Sequence, residues 1–339
     1  MPISDQRYPT MADVAERAGV SVSTVSRTLR GMSTVSPDAR QRVEQAAREL
    51  EFVVSRQASS LVTGRTGNVA VLAPTLSSWF VGCVLQGLST QLSGAGLDLL
   101  IYPVAELAER KAFFERLPAR RNADALMVLS FDLTEEETAR LDGLGMPVVY
   151  VSRKVEGRPS VYVDDVAGGR TATRHLLTLG HRRIAYLCGS RSDGFTYSSR
   201  QRRTGCLEAL AEAGTEPALV REVPHGRRSA LEAIGDMTTL ADPPTAVFAE
   251  TDELALDLLT ALREARIEVP EQLSVVGFDD HPVAEWARLT TVAQDPVSLG
   301  AVAGGMVTDL IAAPDADPAA HRELPLRLIP RASTVPPAR

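Results

Sequence analysis

No stretch of the 339 residues approaches the roughly 18 uninterrupted apolar side chains of a membrane-spanning helix. The first residues do not read as a basic-then-apolar leader, so the chain is expected to stay in the cytoplasm, with no membrane partner. Cysteine is scarce. Cys83, Cys188 and Cys206 are widely and irregularly spaced, which excludes a disulfide framework and a metal signature. They are expected to be small core or helix-face residues. The five histidines, at 175, 181, 225, 281 and 321, contain no HExxH spacing, and no metal is expected. His181, within LGHRR, is expected to fix a turn rather than do chemistry. No GxGxxG or GxxxxGKS/T follows a first strand, so no dinucleotide or ATP loop is implied and no cofactor is expected. An enzyme of the α/β class would need such a loop, or a nucleophile–base pair at a strand end. None stands out.

The composition is that of a soluble globular chain, with 44% hydrophobic and 23% charged residues. The length is too great for one ordinary core and implies two or three domains. The net charge of −7 is unevenly spread. Residues 1–65 carry nine Arg against seven Asp/Glu, and the remainder carries 27 Lys/Arg against 36 Asp/Glu. The contrast permits a local phosphate-binding face without establishing one.

Residues 8–53 read as a three-helix module. Thr10 can cap a helix from Met11, and Asp13 completes a short capping box. Met11, Val14, Ala15 and Ala18 share one face, and Gly19 ends the helix in a left-handed conformation. Ser21 caps a second helix through Arg30, in which Val25 and Leu29 form the buried stripe. Val22, Ser23, Ser26 and Arg27 are left to project or flank. Ser36 and Pro37 start a third helix whose apolar face is Val43, Ala46, Ala47 and Leu50. Two short helices joined at a glycine turn, with a third behind, is the helix-turn-helix plan, whose second helix enters the major groove. Arg27 can present two donors to guanine O6 and N7. Ser21, Ser23, Thr24 and Ser26 can donate to phosphates or bases, and Thr10 joins them as a contact candidate. A solvated three-helix appendage is the bland alternative. Residues 54–65 follow as a segment too short to be a stable helix alone. It is expected to order against a second copy or against DNA, with Ser55, Ala58 and Leu61 as contacts and Leu61 as a minor-groove wedge. A plain linker is the alternative there.

From residue 66 the pattern changes to strands alternating with helices, the signature of parallel sheets covered on both faces. Apolar strands are expected at 68–74, 96–103, 123–130 and 146–152, then at 183–189, 218–223, 245–250 and 273–278. Helices are expected near 81–93, 167–179, 199–213 and 252–265. The fold class is therefore α/β, with two Rossmann-like halves in tandem. Ligands in open α/β sheets sit at the carboxyl ends of strands. By position the candidates are Ser77 to Phe80, with Trp79 between them, then Ser152 and Arg153, then the loop from Ser190 to Arg202, which contains Phe195. Thr251, Asp252, Asp279 and Asp280 follow two later strands. Hydroxyl and charged groups beside aromatics suit a polyol. Asp252 reads equally as a helix cap and Asp280 as a turn cap. Trp286 reads as core or as pocket rim, with the rim preferred.

Five segments in order carry a resemblance: DVAERAGVSVSTVSR at 13–27, VSPDARQRVEQAARELEF at 35–52, VDDVAGGRTATRHLLTLGHRRIAYLCG at 163–189, LSVVGFDD at 273–280 and LTTVAQDPVSLG at 289–300. The chain resembles the LacI (lactose-repressor) family of bacterial transcription regulators along nearly its whole length. The resemblance implies a helix-turn-helix domain and hinge helix joined to a two-lobed, periplasmic-binding-protein-like domain. It implies chain crossings near 162, 292 and 322, giving an N-subdomain of 66–161 and 293–322 and a C-subdomain of 162–292 and 323–339. It implies that Val22, Ser23 and Arg27 read the operator. The family's hinge pattern PNxxAxxL appears as VSRQASSL, with Ala58 and Leu61 matching and Val54 and Ser55 replacing Pro and Asn.

In the cleft, the family's effector-gripping arginine corresponds to Arg202 and its aspartate to Asp279. An Asp and an Asn of the family are replaced by Ser152 and Thr251, while Asp252 is retained and Asp257 stands where Gly is usual. Either a sugar is gripped differently here, or the effector is not a simple sugar. The implied protein is a repressor that binds a palindromic operator as a homodimer and responds to a small molecule, a sugar or sugar derivative. The helix near 81–93 and the segment following Leu107 are implied dimer surfaces. The ending PLRLIPRASTVPPAR has no leucine heptad and favours a dimer over a tetramer. An activator or dual regulator is the alternative within this class. A solute-binding protein without DNA activity would lack the helix-turn-helix.

Overall fold

The computed structural model describes residues 9–29, 32, 34–52, 64–104, 106–189, 197–224, 226–313 and 320–338. The chain divides into two compact units, Met1–Gly67 and Asn68–Arg339.

The first unit holds α1 (Met11–Ala18), α2 (Val22–Leu29) and α3 (Pro37–Glu49). Each helix start has a local cause. Asp13 N donates to Thr10 Oγ1 at 3.4 Å, and Thr10 N donates back to Asp13 Oδ2 at 2.7 Å. Gly19 takes φ 64°, which ends α1 without a Cβ clash. Ser21 Oγ accepts from Thr24 N at 3.2 Å, and Ser36 Oγ from Ala39 N at 3.3 Å. Val14, Ala15, Ala18, Val25, Val43 and Ala46 are buried together, with Met11, Val20, Leu29, Ala47, Leu50 and Phe52 packed around them. This core draws on all three helices.

The second unit contains β1 (Asn68–Ala73), α4 (Trp79–Gly94), β2 (Asp98–Pro103), α5 (Leu107–Arg116), α6 (Ala119–Asn122), β3 (Ala125–Leu129), α7 (Glu135–Asp142), β4 (Val148–Val151) and β5 (Ser160–Val163). It continues with α8 (Asp165–Thr178), β6 (Ile184–Gly189), α9 (Tyr197–Glu212), β7 (Leu219–Val223), α10 (Arg227–Thr238), β8 (Ala246–Ala249), α11 (Asp252–Glu264), β9 (Ser274–Asp279), α12 (Pro282–Trp286) and β10 (Thr290–Ala293). It closes with α13 (Pro296–Ala312), β11 (His321–Leu324) and β12 (Arg327–Ile329). Two six-stranded sheets form, ordered β11-β5-β4-β3-β1-β2 and β12-β10-β9-β8-β6-β7. All described pairings are parallel except β10 with β12. The chain leaves the first sheet after Val163, returns after Ala293 and leaves again after Leu324.

Alternation along the strands explains the layering. Val69, Val71 and Ala73 face a core with α4 and α13, while Ala70 and Leu72 face Phe113 and Phe114 of α5. In the second sheet Ala185 and Leu187 pack on α10 and α11, while Ile184, Tyr186 and Cys188 pack towards α8 and α9. Helices α8 and α9 approach closely because of two glycines. A Cβ on Gly169 would stand 2.1 Å from Arg202 O, and one on Gly205 2.0 Å from Val166 O. That contact holds Arg202 against the first turn of α8. Helix α8 begins two residues before its expected start, because Asp164 caps it through Ala167 N at 2.9 Å.

His181 is a structural anchor. Its ring nitrogens meet Thr245 Oγ1 at 2.9 Å and Val335 O at 2.8 Å, tying the turn before β6 to the C-terminal segment. Burial holds its pKa below the usual histidine range. All three cysteines are free, with Cys188 and Cys206 buried.

Candidate effector cleft and DNA-contacting face

On α2 the first turn is open to solvent. Val22 is 47% exposed, an unusual place for a branched apolar side chain, and Ser23 and Arg27 are exposed beside it. Val25 and Thr28 face inward. Ser21 Oγ lies 2.8 Å from Ser23 Oγ and 2.9 Å from Thr24 Oγ1, so the hydroxyls form one small cluster at the helix start. Thr10 Oγ1 donates to Asp13 Oδ2 at 2.7 Å, so its hydroxyl is taken up by the cap. Ser55, Ala58 and Leu61 lie outside the described residues.

In the second unit a cleft opens where strands end. Its lining includes Pro74 after β1, Ser130 after β3, Ser152 after β4, Glu250 and Thr251 after β8, Asp279 at the end of β9 and Gln294 after β10. Phe80 and Val81 of α4 and Ser198, Ser199 and Arg202 of α9 complete it, with Ser78 and Glu253. Water-sized space within it amounts to about 60 Å³. That is room for about four waters. Three lining residues hold left-handed backbones: Ser130 at φ 58°, Ser152 at 62° and Asp279 at 118°. Such conformations cost roughly 1–3 kcal/mol each and cluster at functional sites.

Arg202 is the hub. Nε donates to Asp165 Oδ1 at 2.8 Å, and Nη1 donates to Glu250 O at 2.7 Å and lies 3.7 Å from Asp279 Oδ1. Its guanidinium sits 3.6 Å above the Phe278 ring centroid. Burial works against its charge, but Asp165 and Asp279 outweigh that and keep it protonated. Burial also pushes Asp279 up to about 6, against the pull of Arg202 and a 2.6 Å hydrogen bond from Gln294 Nε2. Glu250 accepts from Gly189 N at 2.6 Å and from the hydroxyl of Ser199, so it locks the end of β6 to the start of α9. Among the described residues, no three His, Cys, Asp or Glu side chains are arranged to hold a metal ion. No described helix is long and apolar enough to cross a membrane.

Residues 10–55 match the family of bacterial regulatory proteins of the lacI type, and residues 173–334 match the periplasmic binding protein-like domain. The HTH-type transcriptional regulator CelR of Thermobifida fusca is 33% identical over 92% of this chain and 95% of its own. The chain belongs to the LacI family. It is a DNA-binding transcriptional regulator of that family, and its relatives DegA of Bacillus subtilis, CelR and GalS of Salmonella typhimurium are HTH-type transcriptional regulators. Two solved LacI-family structures share its fold. A CelR–cellobiose complex is 31% identical, with TM-score 0.70, covering 96% of this chain and 99% of that one. A lac repressor dimer bound to operator and the anti-inducer ONPF is 25% identical, with TM-score 0.85, covering 97% and 100%.

Within this LacI-family frame, Phe80, Ser152, Arg202, Thr251 and Asp279 are brought together at the cleft. Ser77, Trp79, Arg153 and Asp252 are not part of its lining. Ser77 is exposed and bonds to Thr75 at 2.9 Å. The Trp79 ring stacks 4.8 Å from His281, while its backbone N donates to Glu253 Oε1 at 3.4 Å. Arg153 is taken up by Phe131 O at 2.9 Å and Asp132 at 3.5 Å, beneath the Tyr197 ring.

Asp252 is fully buried and is neither cap nor lining. Thr251 Oγ1 caps α11 by accepting from Leu254 N at 3.2 Å, and Asp252 turns inward to accept from Thr291 Oγ1 at 2.7 Å and His281 N at 2.8 Å. Asp280 pairs with Arg331 at 2.6 Å, and His281 Nδ1 caps the following helix instead. Trp286 is 81% exposed and stands away from the cleft. Phe195 lies outside the described residues. Sequence reasoning missed Glu250, Glu253, Gln294 and Ser130, while Ser198 and Ser199 fall within the candidate loop 190–202. Ser130, Glu250 and Gln294 each follow a strand, the same positional signal that pointed to Ser152 and Thr251.

Proposed function

We propose that this LacI-family regulator is a repressor acting in the cytoplasm, binding a palindromic operator as a homodimer whose DNA affinity is set by a sugar or sugar derivative held in the cleft. Val22, Ser23 and Arg27 read base edges, the valine by apolar contact and the arginine by two donors. Ser21, Thr24, Ser26 and the start of α1 at Thr10 face phosphates. The hinge, 54–65, pairs with its copy, and Ser55, Ala58 and Leu61 meet the minor groove. The N-subdomain is 66–161 with 293–322, the C-subdomain is 162–292 with 323–339, and α4 and α5 provide dimer surfaces.

The observation that carries this reading is the exposed first turn of α2, on a chain whose other unit gathers polar side chains at strand ends. The relative seen with cellobiose supports a carbohydrate, and the lac repressor dimer on its operator supports a two-fold complex. Ligand and DNA then influence each other through one coupling free energy, which acts equally in both directions.

The test is selection of bound duplexes from a random pool by the full-length protein, followed by binding titrations with cellobiose and other sugars. A two-fold symmetric consensus is expected, with a stabilising sugar shifting DNA affinity by about 5–150-fold. Selection without a symmetric consensus sinks the operator reading. Deleting the gene is expected to raise expression from a reporter carrying the selected site. A fall would make the protein an activator.

A further inference from the structure

We propose that the cleft takes a polyhydroxyl ligand without negative charge, neutral or bearing an amine, and rejects sugar phosphates and sugar acids. This rests on the cleft being the effector site and names the charge class of what enters it.

Gln294 is 7% exposed and lines the cleft. Its Nε2 is committed to Asp279, while its Oε1 is buried without a hydrogen-bond partner. A buried acceptor left unpaired is costly, and a ligand hydroxyl or amine proton satisfies it, which asks for a polyhydroxyl or aminated ligand. The surrounding charge is what disfavours an anionic one. Three carboxylates, Glu250, Glu253 and Asp279, line the cleft against the single cation Arg202.

The charge of Arg202 is already balanced, although its Nη2 takes no protein acceptor. Two carboxylates flank it, a carbonyl takes Nη1, and an aromatic ring covers one face. The nearby guanidinium charges are also paired, since Arg153 and Arg200 both meet Asp132; Arg153 Nε is buried without a hydrogen-bond partner, but Arg153 stands outside the lining. The chain has only two lysines, Lys111 and Lys154, and neither lines the cleft. A phosphate entering here meets like charge at short range in a poorly hydrated site. The expected result is at least about 100-fold weaker binding than for the parent sugar.

The experiment uses the full-length protein and has two arms. Thermal shift and calorimetry compare D-glucose, D-glucosamine, D-glucose 6-phosphate and D-glucuronate, and the matching galactose and mannose series. Every stabilising compound is expected to be neutral or aminated. The second arm needs no ligand. In a Trp286→Phe variant the remaining tryptophan is Trp79, whose backbone meets Glu253 at the cleft mouth. With each ion scaled to its quenching of free N-acetyltryptophanamide, caesium is expected to quench it more strongly than iodide, and Glu253→Gln to narrow the difference.

A phosphate or uronate that stabilises the wild type, or iodide quenching at least as strong as caesium quenching, overturns the proposal and leaves the sugar reading standing. Stronger caesium quenching with no sugar stabilising the protein does the reverse: the sugar reading fails and the charge class holds.

Discussion

Along α2 the side chains proposed to meet DNA are solvent-facing and lie between Val22 and Arg27, whereas the cleft draws its lining from positions as distant as Pro74 and Gln294 and buries much of it. The α2 residues stand on a small core that does not depend on them, since Val25 and Thr28 face inward and Arg27 faces out. The cleft residues are tied to one another. Arg202 holds Asp165 and Asp279, Asp279 holds Gln294, and Glu250 holds Ser199 and Gly189. Substitutions on α2 should therefore change recognition while leaving the fold alone. Substitutions in the cleft should change stability and recognition together.

The sharpest way to break this contrast is Arg202→Ala. It strands two buried carboxylates, and breaking a buried ion pair typically costs about 3–5 kcal/mol. A fall of that size in the unfolding free energy of the second unit is expected in denaturant titrations. A change under about 1 kcal/mol would mean the hub is not structural. For this reason loss of effector response in Arg202→Ala does not isolate ligand contact, and Glu253→Gln is the cleaner variant.

Next in size is a pH effect centred on Asp252. Burial and the nearby Asp279 charge push its carboxyl up to about 8, so the folded state holds this proton more tightly than the unfolded chain. Its contribution is therefore most favourable below the ordinary carboxylate range and declines as pH climbs towards 8. Asp252→Asn mimics the protonated form and should remove that decline. Between pH 6 and 8 the variant should gain about 2–3 kcal/mol relative to wild type. His181 titrates in the opposite sense: burial lowers its pKa, so its contribution is lost as pH falls below the ordinary histidine range. The comparison of variant with wild type cancels that effect. Parallel stability profiles for the two proteins would contradict the assignment.

On the DNA side, Arg27→Ala should cost about 1–3 kcal/mol of affinity for cognate over random duplex in anisotropy titrations, with the melting temperature unchanged. Equal weakening on both duplexes would remove its base-reading role. The smallest effect belongs to the cap. Thr10→Ala should destabilise the first unit by about 1 kcal/mol, visible as faster amide exchange along α1. Unchanged exchange would show that the packing of α1 alone holds its start.

These two regions also differ in how much of them could be read from the amino-acid order. The helix-turn-helix was legible because its determinants are local: Thr10 with Asp13, Gly19 with its left-handed backbone, and Ser36 before Pro37. The parallel sheets were legible as apolar runs, although the short segments β5, β10, β11 and β12 were not. The cleft was read only in part, because its neighbours are set by sheet order and by how charges pair in space. Asp252 resembles a cap or a ligand contact until Thr251 is seen to take the cap. Arg153 follows a strand as a ligand contact would, but Asp132 and Phe131 O neutralise it. Glu250 follows an apolar strand, and nothing in its sequence neighbours announces the two hydroxyls and the amide it binds.

The central claim, that cleft and DNA-contacting face belong to one switch, is tested most directly by reciprocal linkage. The affinity for the selected operator is measured with and without a ligand that stabilises the second unit, and the affinity for that ligand is measured with and without operator. The account predicts the same factor in both directions, within about 5–150-fold. A ligand that binds the cleft tightly and leaves operator affinity unchanged would contradict it.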